Sequence, residues 1–599
     1  MGCGYSSLRL EEGFPVHPST RNPRFNFFIR CTFSLLLSCL ALPFSALAQG
    51  DKSSANSPAQ KGLEPIQKYI STAWDTLTRS LSDCSTVVDP KLAEASVFYV
   101  PADMEIPPAV TAMQEKCHVQ VKKLPIVIRR PGDFDSSDMK EHGLLYLDHK
   151  YVVPGGRFNE MYGWDSYFIV LGLVRAGRIE LAKGMVENFF FEIEHYGTIL
   201  NANRTYYLTR SQPPFLTSMI FLVYDAQKAA GREDRAWLEK AYGFASRDYE
   251  NWVRDPHLAG DTGLSRYYDF GKGPAPESLK DEAGIHRKVT AYFFAHPEIG
   301  RDFLVTQAPG DKAIETVGPV FTTNVCDTAQ ASAHPECTSA GSVSLNAEYY
   351  RGDRSMRESG YDVSFRFGPF GSRTHHFAPV CLNSLLYKSE KDLEKMSEML
   401  GKNADTAKWH ERAAARRDAI QKYLWDPERG MYFDYDFTRK TRSTYEYVTA
   451  YFPMWAGLAT PEQAASLVKH IKVFERPGGL VMSPYETSGQ WDYPYAWAPN
   501  QIVANAGLRK YGFNEDADRT GYAFLSTIAE NFRRDGDIRE KYDAVTRSSE
   551  TAVGAGYHMN VIGFGWTNAA FLQLLHDLPD KLVTKLANEQ LQSASTKPN

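Results

Sequence analysis

From Gly163 onward the chain is dominated by a helical period. Ala182, Met185, Val186, Phe189, Phe190 and Ile193 recur at steps of three and four residues, which places one apolar stripe on a helix running from Ile179 to His195. The same spacing predicts helices over residues 216–230, 237–253, 380–400, 406–424, 461–470, 498–511, 515–532 and 566–578. Loops rich in Gly, Pro and aromatic residues separate them, with no alternation of strands and helices and no fixed repeat. The expected fold class is therefore all-α, either a helical solenoid or a closed toroid of helix pairs. Periodicity does not choose between the two.

Before Gly163 the pattern is mixed. Residues 63–150 carry one predicted helix, around Ile66 to Leu81, followed by Pro-punctuated chain, and read as an N-terminal arm packed on the main domain. Residues 49–62 are small and polar, the composition of a flexible leader. The first 48 residues combine Arg21, Arg24 and Arg30, an apolar run from Phe33 to Leu42, and Ala46-Leu47-Ala48. That layout predicts a signal peptide cleaved after Ala48, and so a secreted or periplasmic protein. The run is short and is broken by Pro43, so stable insertion in a membrane is not expected. A myristoylation pattern at Met1-Gly2-Cys3 and a lipoprotein box at Leu36-Leu37-Ser38-Cys39 rank below plain export. Residues 151–580 form the main domain, and 581–599 are expected to be a flexible C-terminal tail.

Composition narrows the partners. With a net charge of −5 and no long basic run, the chain has no electrostatic reason to hold nucleic acid or an anionic membrane surface. The 10 Trp, 33 Tyr and 34 Phe suit a neutral sugar, whose C–H faces stack on rings, although most aromatic residues belong to the core. No Cys/His spacing resembles a zinc site, and His375-His376 read as surface or hydrogen-bonded residues; no metal and no cofactor are expected. Beyond the signal stand Cys84, Cys117, Cys326, Cys337 and Cys381, an odd count; Cys326 and Cys337 are the candidate local pair, and Cys381 sits in an apolar run. The oligomeric state is not legible.

Two runs concentrate chemistry. Residues 154–168 hold Gly155-Gly156, then Arg157, Phe158, Tyr162, Trp164 and Asp165; residues 490–499 hold Gln490, Trp491 and Asp492 just before a helix. Glycines allow close backbone approach, while guanidinium, carboxylate, amide and indole supply the donors, acceptors and stacking faces that grip a sugar. An isolated Gly-Gly-Arg reads better as a tight turn with a buried ion pair. Here further motifs follow in order: Asn201-Ala202-Asn203-Arg204, Tyr207 to Pro214, Pro276-Glu277-Ser278, Glu358-Ser359-Gly360-Tyr361-Asp362, Glu540-Lys541-Tyr542-Asp543 and Gly563 to Asn568. This collinear set, from about Tyr151 to Leu578, resembles the trehalase family of glycoside hydrolases.

The resemblance implies an (α/α)6 toroid, an inverting mechanism without cofactor, and α,α-trehalose as a small neutral disaccharide substrate. Asp362 becomes the expected general acid and Glu540 the expected general base, on opposite faces of the sugar and about 6.5–9.5 Å apart so that a water fits between. Asp362 is expected to be held protonated by apolar and anionic surroundings. The resemblance implies substrate contacts from Arg157, Phe158, Tyr162, Trp164, Asp165, Asn201, Arg210, Gln212, Glu277, Gln490, Trp491 and Asp492.

Three departures cluster on the leaving-group side. Ala275 stands where the family usually has Arg, the glycine-rich stretch 554–557 lacks the usual Glu, and an insertion around 285–350 precedes Asp362. Alternatives are therefore a hydrolase of another α-linked glucoside or a sugar-binding protein on the same scaffold. A polysaccharide lyase ranks last, since no basic cluster is present to hold uronic acids.

Overall fold

The computed structural model describes residues 58–88, 96–280, 284–307, 316–322, 342–557 and 559–595. The expected signal peptide and the Cys326/Cys337 pair lie outside these residues. Among the described residues six helices form an inner ring: Asp165–Arg175, Leu216–Ala229, Val380–Leu400, Phe452–Ala456, Ala498–Lys510 and Gly565–Asp577. Each packs on the next in chain order and the last returns to the first. Closure makes this a toroid and excludes the solenoid.

Outer helices alternate with the inner ones along the chain: Ile179–His195, Arg235–Trp252, Asn403–Tyr423, Pro461–Lys469 and Asn514–Asp535. Burial separates the two classes. The inner helix from Asp165 is buried at every position through Leu173, as expected of a helix surrounded by protein. The outer helix from Asn514 buries one stripe that includes Ala517, Gly521, Phe524, Leu525 and Ile528. Local chemistry sets the starts, as at Thr460, whose hydroxyl accepts from the Gln463 N–H while the Gln463 side chain accepts from the Thr460 N–H, with Pro461 in the first turn.

The ends of the chain differ from expectation. Helix Pro58–Thr76 starts inside the stretch read as a flexible leader, and helix Asp580–Ser595 replaces the expected flexible tail. The two pack on each other, and Pro58–Thr76 also packs on Gly565–Asp577. The first is the helix expected around Ile66 to Leu81, which begins and ends earlier than its periodicity suggested; the second was missed, and it packs on a partner at the far end of the chain.

The arm holds a small parallel sheet, Gln120–Lys123 beside Val97–Val100 beside Leu144–Leu145, with helix Pro108–Cys117 between the first two strands in sequence. That strand-helix-strand unit was missed because its strands are at most four residues long. A disulfide joins Cys84 to Cys117, a pair not singled out from sequence, while Cys381 is buried and unpaired as expected. The insertion contributes helix Ile285–Ala295 and an antiparallel sheet of Leu304–Gln307, Ser342–Leu345 and Val320–Thr322, with Ser342–Leu345 central. Its Ile285, Val289, Phe293 and Phe303 form a second apolar core with Val363, Phe370 and Ala555 of the main domain.

Candidate active site

The site is assembled from segments that each lie just ahead of an inner helix. Residues 157–165 lead into Asp165–Arg175, residues 201–212 into Leu216–Ala229, Asp362 lies ahead of Val380–Leu400, Trp491 ahead of Ala498–Lys510, and residues 540–566 run into Gly565–Asp577. Ring closure brings these helix starts to one mouth. They enclose a cavity of about 730 Å³, open mouth included, lined by Arg157, Phe158, Tyr162, Trp164, Asp165, Asn201, Arg210, Gln212, Glu277, Asp362, Trp491 and Glu540.

Backbone contacts fix the first two segments against each other. Tyr162 bridges to Ala202, the Met161 N–H donates to Asn203 Oδ1 at 2.7 Å, and the Trp164 N–H donates to Gln212 Oε1 at 2.9 Å. Trp164, Trp491 and Trp566 make an aromatic floor with ring centroids 5.7 to 6.1 Å apart, and Trp497 stacks behind Trp491 at 3.8 Å. Gly360 has φ +76°, and a Cβ there would lie 2.7 Å from the Trp164 ring, so this glycine lets the Asp362 segment pass over the indole.

The carboxyls sit in different surroundings. Glu540 is 1% exposed; its Oε2 lies 3.2 Å from Lys541 Nζ, and its Oε1 accepts from the Tyr557 hydroxyl. Its backbone carbonyl accepts from Trp566 Nε1 at 3.0 Å, which anchors the residue. Asp362 is 28% exposed and has Arg357 Nη1 at 4.0 Å from its Oδ2. A guanidinium beside Asp362 corrects the expectation of purely apolar and anionic surroundings: the helix Ala347–Glu358 delivers Arg357 to the cavity wall. It is Asp165 whose pKa is driven well up, by burial first and by repulsion from Glu540 and Asp362 second.

Arg210 and Glu277 form a close buried ion pair, with Arg210 Nη1 3.6 Å from Asp269 and Arg357 Nη1 4.0 Å from Glu277. Burial works against the Glu277 carboxylate, but Arg210 and Arg357 hold its pKa below the ordinary range. At the departure noted in sequence, Ala275 is fully buried, and Arg354 donates to the carbonyls of Lys272, Gly273 and Pro274 just ahead of it.

Two expected contacts are not brought to the cavity wall. The Gln490 amide donates to the backbone carbonyl of Asp362 at 2.5 Å. Asp492 accepts from Ser364 Oγ, the Phe365 N–H, Thr487 Oγ1 and Tyr445 OH at 2.7 to 3.1 Å. Burial raises its pKa to about 6, against those hydrogen bonds. Both residues hold the Asp362 segment in place, because the loop they start from turns behind that segment. Missed from sequence were Tyr207, Arg357, Tyr557, Phe564 and Trp566, which also line the cavity. All five lie in or beside the quoted motifs. Arg357, four residues after Asp353 on one helix face and bonded to it at 3.1 Å, carried a weaker signal.

The trehalase family model matches residues 52–298 and 324–579, and the unmatched stretch lies within the insertion. The chain is 38% identical to the cytosolic neutral trehalase of Neurospora crassa, covering 95% of this chain and 81% of that one. It is 34% identical to the cytosolic neutral trehalase of Saccharomyces cerevisiae, over 85% of this chain and 71% of the other. The solved structure of neutral trehalase Nth1 from Saccharomyces cerevisiae superposes with a TM-score of 0.69 at 31% identity, covering 90% of this chain and 98% of that one. Relatives named as cytosolic overturn the expectation of a periplasmic or secreted protein, which rested on the layout of arginines, apolar run and Ala46-Leu47-Ala48 in the first 48 residues. Among the described residues no helix is long and apolar enough to cross a membrane. An (α/α)6 ring, a tryptophan-floored cavity lined by four acidic residues in different settings, and similarity over most of its length together show that this chain belongs to the trehalase family of glycoside hydrolases.

Proposed function

We propose that the protein hydrolyses α,α-trehalose to two glucose molecules, with Asp362 as general acid and Glu540 as general base. The observation that carries this reading is that both carboxyls line one cavity with the tryptophan floor and the Arg210, Glu277 and Arg357 cluster. One glucose ring stacks on the floor while its hydroxyls meet Arg157, Asp165, Asn201, Gln212 and the arginine cluster. Asp362 gives its proton to the bridging oxygen as the glycosidic bond breaks. Glu540 takes a proton from the water that attacks the anomeric carbon. Lys541 and Tyr557, one on each oxygen of Glu540, fix its plane.

Direct attack by water inverts the anomeric centre. NMR spectra taken in the first moments of turnover are expected to show β-glucose and α-glucose in equal amounts from trehalose, one from each half. Only α-glucose before mutarotation would rule the mechanism out.

A second reading, a remodelled leaving-group site, has its own support. The insertion's core reaches Val363, next to Asp362, and Ala555, two residues from Tyr557; Lys288 Nζ also donates to the Gly554 carbonyl at 2.7 Å. Gly556, at φ +119° with the Gln490 side chain 2.6 Å from its Cβ position, stands where the family's Glu is absent. Deleting residues 300–342 is therefore expected to raise the KM for trehalose by at least about tenfold, the weight of one lost charged hydrogen bond. An unchanged KM would show that the insertion does not shape the site.

A further inference from the structure

We propose that Glu348, His375 and His376 form a binding site for a divalent transition-metal ion of the zinc class, separate from the sugar cavity. Glu348 lies in the first turn of helix Ala347–Glu358, and both histidines lie in the short 3-10 turn Thr374–His376. Their ring Nε2 atoms converge on one oxygen: His375 Nε2 is 3.0 Å and His376 Nε2 2.9 Å from Glu348 Oε1, and ligand atoms of all three residues lie within 4.8 Å of one another. Donors bound at about 2.0–2.2 Å around a tetrahedral ion stand about 3–3.5 Å apart, so small shifts would admit the ion.

Both ends are already held. The His375 carbonyl accepts from Arg266 Nη1 at 2.9 Å, the His376 carbonyl accepts from the Phe437 N–H at 3.1 Å, and Asn346 caps the helix by accepting from the Tyr349 N–H at 3.0 Å. Such anchoring lowers the cost of ordering the ligands. Neither buried Nδ1 atom has a hydrogen-bond partner among the described residues; without metal both Nε2–H groups face Glu348 Oε1, and an ion binding at Nε2 takes the place of that proton, which passes to Nδ1 or to solvent. The His375 side chain is 5% exposed, His376 19% and Glu348 44%, which leaves one open side where water completes the coordination. Two imidazoles and one carboxylate suit the divalent ions from iron to zinc; calcium and magnesium ask for six or more oxygens or a mostly hydrated shell. An ion here would tie the helix carrying Arg354 and Arg357 to the turn that follows Asp362.

The alternative is a carboxylate hydrogen-bonded by two histidines, and metal titration separates the two. Full-length protein without a polyhistidine tag, stripped with chelator, is titrated with Co2+ followed by visible absorption and with Zn2+ followed by Tm. One saturable cobalt spectrum and a saturable rise in Tm are expected. His376→Ala and Glu348→Gln should each weaken cobalt binding at least about 10–100-fold while leaving metal-free turnover unchanged. His376 is the partly exposed ligand, so its truncation tests binding even if the buried His375→Ala variant fails to fold. Absence of a saturable spectrum, or binding unaltered in both variants, would overturn the proposal.

Discussion

Asp362→Asn and Glu540→Gln are each expected to cut turnover of trehalose by at least ~10²–10⁴-fold, the first with little change in Tm and the second with a lower Tm, because it strands the buried Lys541. The amides keep the shape of the side chains and lose the proton chemistry. Asn at 362 cannot protonate the bridging oxygen, although Arg357 still faces it. Gln at 540 can still meet Tyr557, yet it cannot take a proton from the attacking water, and Lys541 is left beside a neutral amide in a buried site. Loss should fall on kcat more than on KM, because the stacking floor and the arginine cluster are untouched. Steady-state kinetics with a thermal melt of each variant checks this, and near wild-type kcat in either one would remove that residue from its role.

The second large effect concerns stability. Arg366 and Asp434 form a two-pronged ion pair, 2.7 and 2.6 Å, with both side chains almost fully buried. Burial by itself lowers the Arg366 pKa, and the Asp434 carboxylate more than offsets that. The guanidinium also lies over the rings of Tyr361, Phe367 and Tyr447, at 4.6 to 5.5 Å, while Asp434 Oδ1 accepts from the Val380 N–H at the start of an inner helix. Arg366→Met is expected to destabilise the fold by about 3–5 kcal/mol, since it strands a buried carboxylate. Adding Asp434→Asn removes that charge and keeps an acceptor for Val380, so the double variant should regain much of the loss. Urea midpoints of the single and double variants decide it. If the single variant melts like the wild type, or the double variant is no better than the single, the buried charge is not what this pair contributes.

Much of the ring was legible because each helix carries its own evidence. The stripe from Ala182 to Ile193 and the run from Val380 to Leu400 need only local periodicity, and the observed helices Ile179–His195 and Val380–Leu400 begin and end where that periodicity does. The cavity residues were legible for another reason: Gly-Gly-Arg, the tryptophans and the two acidic motifs are dense in side chains that a plain core does not need. Helix Asp580–Ser595 and the sheet around Val97–Val100 were not legible, since their stability comes from partners distant in sequence.

What sequence by itself determined is the class of the fold, the order of its helices, the family, and the identity of most cavity side chains, because periodicity and motif are properties of neighbouring residues. What tertiary structure decided is which of those side chains face the cavity. Gln490 and Asp492 sit in the same motif as Trp491, yet the turn of the chain sends the indole to the cavity and the amide and carboxylate behind it, to Asp362 and to residues 364 and 365. Arg357, unremarkable in sequence, reaches Asp362 only because its helix ends beside the ring mouth. Direction in space depends on closure of the ring, and closure is a sum of contacts between residues far apart in the chain.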